Sequence, residues 1–247
     1  MADVHYTNVR IFDGGGEAPF MGEVLVQGDR IARVVRGGQG VRAAPVGGAQ
    51  VVDGAGAFLM PGMVEAHTHF SWNDQPSLDA IQRMPPEEHI LWCAQVAERY
   101  LDMGWTSCVG AATAKPRLDV VIRNAINDGT IFGPRYLAAS QEITVPGGLG
   151  DTTAPHLPQP EFAFGAIVSG VEEMRRCVRM FVKWGVDSPE RLIFSESTPY
   201  LANMRTQRRI SCGPLTMAPK ANSCCGRCGC VVSPRPPGTV ISWLAAR

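Results

Sequence analysis

Histidine is scarce in this 247-residue chain: there are five, and none follows His156. Aspartate ends at Asp187 and glutamate at Glu196, so the last stretch of sequence carries no carboxylate side chain. No apolar run approaches the roughly 18 residues that a transmembrane helix needs. The opening "MADVHYTNVR" lacks the apolar core behind a basic start that marks a secretory leader. A cytoplasmic protein with no membrane partner is expected.

The formal net charge of zero conceals a division. Residues 189–247 hold eight basic and two acidic side chains, a net +6, so the first 188 residues carry −6. Cysteine divides the same way. Cys93, Cys108 and Cys177 are scattered through the body, whereas Cys212, Cys224, Cys225, Cys228 and Cys230 crowd the tail. That tail has no aromatic interleaving and no known module spacing, so no nucleic-acid partner is expected.

Along the chain, "HYTNVRIFDGG", "GEVLVQGDRIARVVRGG" and "AQVVDGAGAFLMPG" read as short strands with Gly-containing turns, a small β-domain over residues 1–60. From residue 61 strands alternate with helices. "MVEAHTHF" reads as a strand. "PEEHILWCAQVAERYLDMG" reads as a helix with Pro86 and two glutamates at its start, where the helix dipole favours them. "WTSCVGAA" and "PRYLAAS" read as strands, and "RLDVVIRNAINDG" as a helix ending at Gly129. In "GVEEMRRCVRMFVKWG", Val171, Met174, Val178, Phe181 and Val182 recur at helical spacing opposite charged residues. This order predicts an α/β fold with a parallel sheet. After Ser188 the rhythm stops.

Within "PGMVEAHTHF", His67 and His69 stand one residue apart. On a strand both imidazoles project to one face, about 6.6 Å apart along the backbone, which is half of a metal site. His89 sits near a helix start and is expected at the surface. His156, in the Pro-rich "DTTAPHLP", is expected in a loop, either exposed or touching substrate. "GGLGD" suits a substrate loop or an ordinary connection.

The run "VVDGAGAFLMPGMVEAHTHF" resembles the amidohydrolase superfamily. There the first strand of a (β/α)₈ barrel carries His-x-His, after an Asp-x-x-Gly turn and a Pro-Gly pair, here Asp53, Gly56, Pro61 and Gly62. "YLDMGWTSCVG", "GPRYLAAS", "GGLGDTTAPH" and "FVKWGVDS" extend the likeness over roughly residues 5–188, toward imidazolonepropionase-like and dipeptidase- or ochratoxinase-like enzymes. The resemblance implies a sandwich-like β-domain ahead of the barrel and one or two divalent ions, most often zinc, at the barrel mouth. His67 and His69 would be metal ligands, His156 a substrate contact, and a metal-activated water would hydrolyse an amide of a small molecule. Lys183 does not fit the family's bridging lysine, which belongs on the following strand.

The family pattern also requires that lysine, two later histidines and a late aspartate. "PERLIFSES" has no lysine, and the other residue types do not recur. The expectation is therefore an incomplete TIM-type barrel of about four βα units over 61–195, with a basic, Cys-rich and irregular tail over 196–247. No strand returning to the β-domain is legible. The chain by itself is expected to be inactive, and a homo-oligomer or docking on a full-length relative would cover an open sheet edge. A Cys-rich metal-binding protein is the other reading. Cys225-x-x-Cys228 is a zinc or redox element, but a structural zinc site pairs two such elements. Translation out of frame is a third account of the tail. Reading the gene in its other frames decides that account: histidine-bearing strand sequences are expected beyond residue 188, and their absence removes it.

Overall fold

The computed structural model describes residues 3–37 and 48–188, with the backbone of 240–242. The CCGRCGC motif and nearly all of the 196–247 tail lie outside the described residues, and so do the accounts given of them.

Strand β1 (Val4–Ile11) pairs antiparallel with β2 (Phe20–Gln27), which pairs antiparallel with β3 (Arg30–Arg36). The other edge of β1 takes two partners in parallel: β4 (Gln50–Asp53) along residues 4–7 and β5 (Phe58–Met60) along residues 10–11. Asn8 lies between these two pairings, at φ 51°, where β1 slips in register. Asparagine tolerates this left-handed conformation better than most residues, and its Nδ2 donates to Asp53 Oδ1 at 3.0 Å. The same oxygen accepts from Ala55 N at 2.8 Å. Ala55 and Gly56 stand at φ 48° and 81°, and Ala57 N bonds Gly54 O at 2.8 Å, a primed turn. The Asp-x-x-Gly motif is thus a turn held by its own aspartate.

The expected sandwich-like unit is, among the described residues, one six-stranded mixed sheet. Its core gathers Tyr6, Val9, Ile11, Val24, Val26 and Leu59. The sixth strand is β11 (Val240–Ser242), parallel to β5, with Val240 opposite Phe58. The sequence hid it because three residues behind a proline-rich stretch are too few to show alternation.

The second sheet is parallel, in the order β6 (Met63–Thr68), β7 (Trp105–Gly110), β8 (Arg135–Leu137). A short helix α1 (Leu78–Arg83) and the long α2 (Pro86–Asp102) link β6 to β7, and α3 (Leu118–Asp128) links β7 to β8. Helix α2 starts as expected, with Pro86 and acidic Glu87 and Glu88 in its first turn. Helix α1 escapes a periodicity reading because six residues make under two turns. It is capped by Ser77 Oγ, which accepts from Ala80 N at 3.2 Å.

Beyond β8 the parallel pair β9 (Glu142–Thr144) and β10 (Gly165–Ile167) forms a side excursion before α4 (Val171–Trp184). Helix α4 buries Met174, Cys177 and Phe181, while Val182 is 66% exposed, so the apolar stripe is narrower than its sequence suggested. The chain then returns beside β8. Ala139 bridges Ser188 in parallel, and Asp187 N donates to Ala138 O at 2.9 Å. Three parallel strands and one parallel bridge at Ser188 are therefore in place, and among the described residues no barrel closes. None of the described helices is long and apolar enough to cross a membrane.

Helices α2 and α3 cover one face of this sheet through Phe70, Cys93, Ala97, Cys108, Ile122, Ile126 and Tyr136. The opposite face is open, with Val64 65% and Leu137 52% exposed. On the covered side Gly110 is confined: a Cβ there would fall against Asp119 Oδ2 and 2.7 Å from Tyr136 Oη. Gly110→Ala is expected to destabilise the fold by about 1–3 kcal/mol, read as a lower urea midpoint than that of the parent chain. An unchanged midpoint for Gly110→Ala contradicts the packing described.

Candidate metal and active site

The placement of the histidines begins with a register shift. Glu65 pairs with Cys108 and Thr68 with Gly110, so β6 advances three residues while β7 advances two. Thr68, like Cys108, is buried on the helix-covered side, and its Oγ1 donates to Val109 O at 2.9 Å. Phe70 follows on that side, stacked on Tyr136 with ring centroids 4.4 Å apart. The extra residue reverses the alternation, so His67 and His69 face the open side, at the C-terminal end of β6.

Their rings meet edge to face with centroids 4.8 Å apart. His67 is exposed, and its backbone N donates to Glu65 Oε1 at 3.1 Å. His69 is half-buried and stacks on Trp72 at 3.9 Å. Its Nδ1 lies 3.2 Å from Ala112 O. A carbonyl only accepts, so the proton sits on Nδ1 and the lone pair of the neutral ring is on Nε2. Burial lowers the pKa of His69; the Ala112 bond opposes this and the neighbouring His67 adds to it. A neutral imidazole with its other nitrogen held by a backbone acceptor is the form that binds a metal.

A catalytic zinc takes three protein ligands. No group of three or more His, Cys, Asp or Glu among the described residues is placed to hold an ion. The pair supplies two donors of the right kind, and the described residues do not complete the set. His156 is exposed in the loop between β9 and β10 and makes no hydrogen bond to the pair, so the structure does not bring it to them. His89 corrects the surface expectation: it is fully buried, with Nε2 donating to Ser71 O at 2.5 Å. The first turn of α2 tucks beneath the segment after β6, which a reading of α2 alone could not show.

Behind the sheet lies a polar cluster that the sequence reading missed. Tyr136 Oη donates to Asp119 Oδ2 at 2.6 Å, and Ala139 N donates to the same oxygen at 3.2 Å. Burial pushes the Asp119 carboxyl up to about 6, against the pull of Tyr136, Ala139 and Thr113. Asp119 opens α3, where a first-turn acidic residue ordinarily signals only dipole compensation.

No protein-family model matches the chain. Comparison with known proteins nonetheless finds similar chains and similar folds. An ochratoxinase of Aspergillus niger is 30% identical over an alignment of 144 residues that covers 51% of this chain and 29% of that one. A crystal structure of A. niger ochratoxinase matches with a TM-score of 0.55 at 22% identity, over 75% of this chain and 45% of that chain. A prolidase complexed with N-methylphosphonate-L-proline matches with a TM-score of 0.66 at 21% identity, over 76% of this chain and 46% of that one. An amidohydrolase matches with a TM-score of 0.64 at 22% identity, over 76% and 46%. The resemblance drawn from the motifs is thus met in sequence by an ochratoxinase over half of this chain, and in fold by the solved structures. The chain spans less than a third of the curated relative it matches and under half of these solved ones.

Two expectations follow. Nitrogen-15 spectra at pH 7 should show His69 neutral and protonated on Nδ1; an Nε2-protonated ring contradicts the Ala112 bond. The folded state holds the Asp119 proton up to about pH 6, whereas the unfolded chain releases it near 3.8. The stability Asp119 contributes is therefore full below about pH 4 and is lost as pH rises through 6, on the order of 2–3 kcal/mol. Asp119→Asn should flatten this part of the stability–pH curve, and an unchanged slope would count against it.

Proposed function

We propose that β6, β7, β8 and the segment reaching Ser188 are the first strands of an incomplete TIM-type barrel. In this reading the chain carries part of a metal-dependent hydrolase acting on an amide C–N bond of a small molecule. The observation that supports it most directly is His69: half-buried, uncharged, with Nδ1 tied to Ala112 and Nε2 left free, beside His67 on the same face. The relatives' names support hydrolysis of amide-type bonds. His67 and His69 would be two ligands of a divalent ion, zinc by the donor type. When bound in a complete site, such an ion lowers the pKa of a coordinated water.

The 247 residues alone would lack turnover, since His156 and Asp187 are the last histidine and aspartate and neither is set beside the pair. A cytoplasmic setting is part of the same proposal. The described cysteines, Cys93, Cys108 and Cys177, are free and buried, which suits a reducing compartment. A second reading is favoured by the open face around Val64 and Leu137. It is a non-catalytic chain that docks on a second copy or a full-length relative, and a well-defined dimer on sizing would support it.

Purified protein with added zinc or manganese, assayed against N-acyl amino acids and dipeptides, is expected to show no turnover. Appreciable turnover abolished by His67→Ala overturns the proposed inactivity. In equilibrium dialysis on chains with Cys212, Cys224, Cys225, Cys228 and Cys230 replaced by serine, zinc binding should weaken at least about tenfold in the His67→Ala, His69→Ala double variant; equal retention removes both residues from the ligand set.

A further inference from the structure

Asp13, Asp53 and Asp128 are each followed by glycine. Such a pair can rearrange covalently. The backbone N of the glycine attacks the aspartate Cγ, with no side chain of its own to obstruct the approach. As the N–Cγ bond forms, the carboxyl loses its OH together with the amide proton as water, leaving a five-membered succinimide. Solvent water then adds to the main-chain carbonyl carbon of the aspartate and breaks its bond to the glycine N. The chain now runs through the aspartate Cβ and Cγ, an isoaspartyl linkage of unchanged mass. No oxidant, metal or second substrate is consumed.

The three sites share one local turn. In each, the aspartate Oδ1 accepts from the backbone N two residues on: Gly15 at 2.9 Å, Ala55 at 2.8 Å and Thr130 at 2.9 Å. The attacking nitrogen is what differs. Gly54 N donates to Thr7 O at 2.8 Å and Gly129 N to Ile126 O at 3.3 Å. Gly14 N donates to no acceptor among the described residues. The surroundings differ in the same direction. Asp53 ends β4, its Oδ1 also takes Asn8 Nδ2, and Gly54 is pressed against Val9. Asp128 is the last residue of α3, where helical geometry fixes its ψ. Asp13 stands between β1 and β2 in a stretch, residues 12–19, that is exposed or half-exposed throughout. Gly14 and Gly16 lie at φ 75° and 92°, with open space where a Cβ would be. Attack requires rotation about the Asp13 ψ, and a backbone with so few contacts makes that rotation at little cost.

We propose that Asp13 is a site of isoaspartate formation in the folded chain, its Cγ attacked by the free Gly14 N, and that the fold protects Asp53 and Asp128 by holding their glycine nitrogens in hydrogen bonds. The rearrangement lengthens the β1–β2 link by one methylene and leaves a free α-carboxylate on it. That group is what an isoaspartate-directed methyltransferase would recognise. The proposal requires neither metal nor turnover and does not rest on the hydrolase reading.

Ageing the full chain in mildly acidic buffer, folded and in parallel in concentrated urea, tests it by peptide mapping. Isoaspartate is read at each site as resistance to an aspartate-directed protease at unchanged mass, with the altered linkage located by fragmentation. In the folded chain Asp13 is expected to carry several-fold more isoaspartate than Asp53 or Asp128. In urea the three sites should react alike. No isoaspartate at Asp13 in the folded chain, equal amounts at the three folded sites, or an Asp13 preference that persists in urea would each overturn the proposal. Gly14→Val, which crowds the nitrogen, should suppress the product at Asp13 several-fold, and undiminished product there overturns the assigned nucleophile.

Discussion

Between Glu65 and Thr68, β6 holds one residue more than its neighbour needs, and the chemistry of this end of the molecule depends on where that residue goes. Strand geometry sends alternate side chains to opposite faces. With regular pairing from Val64 onward, Thr68 would share the open face of Val64, and His67 and His69 would turn into the helix layer. The shift reverses that outcome. Thr68 and Phe70 enter the apolar layer, where Phe70 is fully buried between Tyr100 and Tyr136, and the histidines are left facing the open side. Burying a phenylalanine side chain stabilises by about 1.5–3 kcal/mol. Phe70 therefore helps to hold the register that points His69 outward.

The sheet is fastened on its covered side by contacts that tolerate little change. Gly110 lets β7 approach the Asp119–Tyr136 pair, which in turn receives the backbone N of Ala139. One carboxylate thus joins the helix after β7 to β8 and to the residue that follows it. A second carboxylate repeats the device: Asp187 Oδ2 accepts from Ala138 N at 2.8 Å and pairs with Arg123 at 2.5 Å, tying α3 to the returning chain. Arg123 is partly buried, so this pair is screened less than a surface one. The parallel order of the strands is secured in this way by side-chain bonds as well as by apolar area.

How much of this was legible depended on length and on locality. Helices α2, α3 and α4 and strands β6 and β7 were readable because each repeats its period over enough residues, with Pro86, Gly129 and Gly185 marking boundaries. The Asp53 turn was readable because its cause is local. Helix α1 and strands β9, β10 and β11 were not, since three to six residues carry no period. His67 and His69 were found from their spacing, but the spacing did not reveal the register shift that aims them. His89, Asp119 and Lys115 were misread or passed over for one reason. Each looks like a helix-start or loop residue in sequence, and each is buried by a segment far away in the chain.

The two ionisable features at this end of the sheet differ in what they still require. His69 is satisfied as it stands: neutral, stacked on Trp72, with one nitrogen bonded and the other free. Nothing in its own energetics demands a metal, and two imidazoles are fewer than the three protein ligands of a catalytic zinc. Lys115 is less fully satisfied, its buried Nζ bonded to one backbone carbonyl, that of Gln82. The histidine pair carries the motif from which the family resemblance was drawn. The lysine, which no motif announced, is buried by a segment distant in the chain.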